Sequence, residues 1–159
     1  MSVELSLPPL SPEQAAHSER LTGRIRDAIE AANGWISFER YMEMALYEPG
    51  LGYYSAGATK LGGAGDFITA PEISPLFSRC LANQSAEVLE SVGGGSILEL
   101  GAGSGVMAAD VLGELVRQQR LPERYLILEV SADLRERQRV LLEKRVPELM
   151  TRIEWLDRL

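Results

Sequence analysis

Two hydrophobic patterns divide this chain. Up to about residue 92 the apolar positions recur at helical spacing, and after residue 96 they gather into short, mainly apolar runs, "ILEL" and "YLILEV". Ser11-Pro12-Glu13-Gln14 supplies an N-cap, a proline at the first helical position and a glutamine three residues beyond the cap. The spacing predicts a helix from Pro12 to about Ala32, stopped by Asn33-Gly34, since both residues tolerate the left-handed conformation that ends helices. Ser37 caps a second helix, Phe38 to Leu46. The pattern then lapses across "YEPGLGYYSAGATKLGGAG", which reads as a long glycine- and tyrosine-rich loop of the kind that more often carries function than idles.

Ser74-Pro75 starts a further helix running to about Ser91, with Thr69 and Glu72 spaced as a capping box just ahead of it. Phe77, Leu81, Val88 and Leu89 are its expected buried side, and Gly93-Gly94-Gly95 reads as a hinge. Beyond it come an apolar strand at Ile97–Leu100, a glycine loop, a helix from Val106 to about Gln119, and a strand at Tyr125–Val130. A helix from Leu134 to about Lys144 and a third strand at Ile153–Leu156 follow. Alternation of buried strands with helices predicts an α/β fold with a parallel sheet. The expected division is a helical and loop region over 1–92, covering the site, and a sheet region over 93–159.

Composition narrows the chemistry. The 159 residues carry a net charge of −7, which disfavours a surface that tracks phosphates, so no nucleic-acid partner is expected. Cys80 and His17 are each the sole residue of their kind, which leaves no disulfide and no His/Cys metal cluster. A reducing cytoplasm suits that cysteine content. No apolar run approaches the ~20 residues of a membrane helix, and no membrane association is expected.

The glycine loop, "ILELGAGSGVM", narrows it further. A dinucleotide fingerprint counted from Gly101 requires glycine at 106, where this chain has Val106, so an NAD-dependent oxidoreductase is disfavoured. Gly62, Gly63 and Gly65 lead to Asp66 and not to the Lys-Ser/Thr of a phosphate loop. Ser104 lacks the flanking glycines of a nucleophile elbow, and one histidine leaves little for a hydrolytic triad. What remains is Glu99-x-Gly101-x-Gly103-x-Gly105, followed by Glu129 at the end of the second strand, where a carboxylate can accept from both hydroxyls of a ribose. The pair reads as a nucleoside site; the plainer alternative is a structural turn and a solvated glutamate.

Acidic-x-Gly-x-Gly-x-Gly resembles motif I of the class I S-adenosylmethionine-dependent methyltransferases. The series "YEPGLGYYS", "GDFITAPEISPLF", "ILELGAGSG" and "LILEVSADLRERQR", in that order, further resembles the MidA-like family, which includes a mitochondrial protein arginine methyltransferase. The likeness covers roughly residues 36 to 157. It implies a Rossmann-like sheet, S-adenosyl-L-methionine as cofactor, a protein substrate, and cofactor contacts from Glu99, Gly101, Ala102, Gly103, Gly105, Glu129 and Val130. It also implies that the 53–74 region shapes the substrate entrance. There Tyr53 and Tyr54 either face a cation or pack the loop against the core, and Asp66 and Glu72 either serve catalysis or fix the turn and cap the helix.

Two departures qualify the resemblance. Many members carry Pro and Arg where this chain has Ala102 and Ser104, which keeps the turn but removes the arginine. Members are also much longer, so the sequence reads as an N-terminal fragment or a truncated relative. A parallel sheet ending after its third strand exposes an edge and an apolar face, through which a homodimer is expected. The alternative to an enzyme is a binding or assembly module that keeps part of the fold without catalysis.

Overall fold

The computed structural model describes residues 9–56 and 68–158, so Asp66 and the Gly65–Phe67 part of the signature lie outside the described residues. The chain forms two compact units, Met1–Ala56 and Gly57–Leu159. In the first, helix α1 spans Pro12–Ala31 and α2 spans Phe38–Tyr47. Ser11 and Gln14 close the anticipated capping box, and Asn33 and Gly34 both take positive φ at the far end. The glycine- and tyrosine-rich stretch begins by folding back on α2: Tyr53 and Tyr54 donate their backbone N–H groups to Ala45 and Leu46 at 2.9 and 2.8 Å. Gly52 is obligatory there, because a Cβ would lie 2.5 Å from the backbone nitrogens of Tyr47 and Glu48. His17, to which the sequence assigned no role, pairs through Nε2 with the Leu51 carbonyl at 2.8 Å and fastens α1 to this turn.

The second unit contains α3 (Ala70–Ile73), α4 (Pro75–Val92), β1 (Ile97–Leu100), α5 (Val106–Arg117), β2 (Tyr125–Leu128), α6 (Ala132–Arg145), a 3-10 turn at Pro147–Arg152, and β3 (Ile153–Leu156). The strands are parallel in the order β1-β2-β3, with Ile97 beside Tyr125 and Tyr125 beside Ile153. Parallel neighbours need long crossovers, which α5 and α6 provide. Strand alternation sends Ile97, Tyr125, Ile127 and Ile153 into one cluster with Val111, Leu112 and Leu115 of α5 and Leu142 of α6. Leu112, Leu115, Ile127 and Leu142 are completely enclosed, each contributing about 1.5–3 kcal/mol by leaving water. The opposite face is leucine-rich, and Leu98 and Leu100 remain 43% and 64% exposed.

Several expectations need correction. Helix α4 buries Ser78, Ala82 and Ala86, whereas Phe77, Leu81 and Val88 are exposed. Small residues four apart let α4 pack closely on α5, and that closeness outweighs the burial of larger side chains. Gly93-Gly94-Gly95 is a helix stop and not a hinge: Gly93 is left-handed at φ +82°, Gly94 donates to Leu89 at 2.8 Å, and the Gly95 carbonyl accepts from Glu123 at 2.8 Å. Helix α4 belongs to the same compact unit as the sheet. Thr69 makes no side-chain cap, and Cys80 is exposed, although a lone cysteine on a helix face ordinarily packs as a small buried apolar residue.

Candidate functional site

The two glutamates and the glycine loop meet at the carboxyl ends of β1 and β2, where open parallel sheets receive ligands. The Gly101 N–H donates to the Leu128 carbonyl at 2.9 Å, which ties the first residue of the loop to the end of β2. Gly101, Gly103 and Gly105 then take φ of +69°, +57° and +84°, a left-handed series that only glycine adopts without strain. The turn closes through Gly105 N–H on the Ala102 carbonyl at 2.8 Å and delivers the chain into α5. Gly101 is exposed, and a Cβ added there would meet nothing within 4 Å, so this backbone faces open space. Ala102 is buried beneath the turn.

Glu99 and Glu129 are both buried, at 7% and 5% exposure. Tyr125 donates its hydroxyl to Glu99 Oε2 at 2.8 Å. Burial pushes the Glu99 carboxyl above its usual range, the Tyr125 hydrogen bond pulls it down, and the negative charge of Glu129 pushes it up again. The Tyr125 hydroxyl is itself pushed far up by burial and by Glu99, so it stays a donor. Glu129 accepts from Ser131 N–H at 3.0 Å on one oxygen and from Gln138 Nε2 at 3.2 Å on the other. Val130, the next residue, is 55% exposed.

Glu72 reaches the same loop. The Ser104 hydroxyl donates to Glu72 Oε1, so the four-residue α3 is fastened to the glycine turn. The Glu72 carboxylate therefore does not serve the expected cap. In the first unit Tyr53 and Tyr54 pack edge to face at 4.9 Å between ring centroids, and Tyr54 stacks on Tyr47 at 5.7 Å.

Gln138, Tyr125 and Trp155 had no place in the sequence reading of the site. Gln138 had a legible signal: Leu134, Gln138 and Leu142 lie four apart on a helix otherwise crowded with charge, which puts an amide in the buried stripe. Tyr125 is inward by strand alternation with Ile127, but nothing in the sequence pairs it with Glu99.

The family whose model matches residues 80–159 is described as "putative S-adenosyl-L-methionine-dependent methyltransferase". The chain belongs to this family. A protein from Burkholderia thailandensis, crystallised with S-adenosyl-homocysteine bound, is 45% identical and superposes with a TM-score of 0.83 over 97% of this chain and 41% of that one. The protein arginine methyltransferase NDUFAF7 of Danio rerio is 43% identical over 51% of this chain and 20% of its own length. The Bos taurus NDUFAF7 is 32% identical over 86% of this chain and 33% of its own. The chain thus spans between a fifth and a third of these two curated relatives. Its parallel sheet with connecting helices is consistent with part of the Rossmann-like fold expected from the sequence. No helix among the described residues is long and apolar enough to cross a membrane.

Proposed function

We propose that this chain carries the S-adenosyl-L-methionine site of a protein arginine methyltransferase. The observation that carries the reading is the placement of two buried glutamates on either side of a left-handed glycine loop, at the ends of adjacent parallel strands. That donor set fits the cofactor: carboxylate and carbonyl oxygens suit its ammonium and sulfonium, and the open backbone at Gly101 admits it. Glu99 stands toward the amino-acid end and Glu129 takes the ribose, with Gly101, Ala102, Gly103, Gly105 and Val130 lining the path between them. When bound, the cofactor supplies an electrophilic methyl carbon. The chain holds it and aligns the acceptor in line with it, which removes the entropy of encounter from the barrier.

An arginine acceptor is protonated at neutral pH, so a carboxylate must orient its guanidinium and assist proton loss. Glu72, fastened to the glycine loop by Ser104, supports that role, and Asp66 is the other carboxylate of this proposal. Self-association through the sheet edge and its apolar face is a further part of the reading, with Leu98 and Leu100 exposed on that face. The cysteine content supports a cytoplasmic setting, although the NDUFAF7 relatives carry mitochondrial names; fractionation of expressing cells tests it.

Titration calorimetry with S-adenosyl-homocysteine tests the cofactor site directly. Micromolar binding, about −8 kcal/mol, is the expected result, and absence of heat from a folded chain refutes it. Binding with no methyl transfer to arginine-containing protein substrates would favour the non-catalytic assembly module instead.

A further inference from the structure

Gln138 is completely buried in α6, and its amide touches three groups from three different elements. Nε2 lies 2.9 Å from the Gly103 carbonyl and 3.2 Å from Glu129 Oε2, while Oε1 accepts from Trp155 Nε1 at 2.9 Å. The orientation of the amide is settled by its neighbours. A carbonyl and a carboxylate can only accept, and an indole N–H can only donate, so the NH₂ must face the first two and the oxygen the third. Each N–H of Gln138 is thus used once, one on the middle residue of the glycine loop and one on the carboxylate after β2.

The backbone of α6 takes part as well. A Cβ at Gly105 would lie 3.3 Å from the Cα of Gln138, so the third glycine of the motif lets the loop seat directly on this residue. Arg135, one turn earlier on the same helix, donates to the main-chain carbonyl of Glu129. With Ser131 N–H on its other oxygen, the Glu129 carboxylate is held from both sides and keeps lone pairs to spare.

We propose that Gln138 is a positioning residue of the cofactor site: its amide sets the separation between the glycine loop and Glu129, and through it the grip on the nucleoside portion of the ligand. The proposal rests on the cofactor reading above. It assigns Gly103 and Glu129 to one rigid unit, prepared before the ligand arrives. Preorganisation of this kind saves the ordering cost that a loose loop would impose on binding. The amino-acid end, served by Glu99, lies outside this unit.

The test measures the affinity of the whole chain for two probes, S-adenosyl-homocysteine and 5′-methylthioadenosine, which lacks the amino-acid end. Gln138→Met keeps the side chain's length and removes all three hydrogen bonds; both probes are expected to bind at least ten-fold more weakly, by the same factor. Gln138→Glu loses both donors when ionised and regains one when protonated. Relative to the wild type at each pH, it is expected to bind as poorly as Gln138→Met at pH 8 and to recover part of the loss at pH 5, while Gln138→Met shows no such recovery. Should either variant fail to fold by circular dichroism, Trp155→Phe, which frees Oε1 alone, is expected to weaken both probes two- to five-fold. A folded Gln138→Met with wild-type affinity, or a loss confined to the probe with the amino-acid end, overturns the proposal. Failure of the wild-type chain to bind either probe overturns the cofactor reading on which it rests.

Discussion

Tyr125→Phe removes a single hydroxyl from the interior and leaves the ring in place. Tyr125 is 1% exposed and Glu99 7%, and the bond between them is 2.8 Å, so both partners are largely withdrawn from solvent. A buried hydrogen bond to a charged group contributes roughly 1.5–3 kcal/mol, and an orphaned carboxylate oxygen bears most of that loss. About 2 kcal/mol near neutral pH is therefore expected, which lowers the melting temperature by about 4–8 °C for a chain of this size.

The pH dependence gives the sharper test. The Glu99 carboxyl is already raised by burial, so the folded chain holds its proton more tightly than the unfolded chain does, and stability falls as pH rises from the usual carboxylate range through the folded value. Tyr125 opposes that rise; without it the folded value moves further up and the window of falling stability widens. Urea unfolding followed by circular dichroism at pH 5 and pH 8 should show a larger loss at pH 8, with the slope against urea unchanged. Equal losses at the two pH values, or a larger one at pH 5, would show that the hydroxyl does not support an ionised Glu99.

Three further outcomes test the packing. Leu112→Ala empties a fully enclosed position in α5 and should cost about 2–5 kcal/mol in the same urea assay; a loss below about 1 kcal/mol would contradict the core described above. Ala86→Leu should cost about 1–3 kcal/mol by overpacking the contact between α4 and α5, whereas Val88→Ala, at a position 59% exposed, should stay within about 0.5 kcal/mol; the reverse ranking would restore the face that the apolar pattern suggests. Gly101→Ala and Gly105→Ala both strain a left-handed position, by about 1–2 kcal/mol, but only Gly105→Ala also presses on the Gln138 backbone at 3.3 Å. Thermal melts should rank Gly105→Ala as the more damaging of the two, and equal melts would remove that contact.

What could be read from the sequence was local or periodic. Ser11 and Gln14 close their box because both partners lie within one turn, and the strands at Ile97, Tyr125 and Ile153 begin where short, mainly apolar runs begin. The glycine loop was legible for a similar reason: its left-handed backbone demands glycine wherever the chain goes next. Helix α4 shows the limit. Its large apolar residues mark one face and its small ones another, and only the approach of α5 decides that Ser78, Ala82 and Ala86 turn inward. The same holds at the site. Glu99, Glu72 and Glu129 could be named as carboxylates from their places in motifs, but the groups that fix them are distant in the chain: Tyr125 by 26 positions for Glu99, and Ser104 by 32 for Glu72. Hydrogen bonds act over about 3 Å of space and leave no period in the sequence, so tertiary structure alone brings the amide of Gln138 to both the loop and the glutamate it holds.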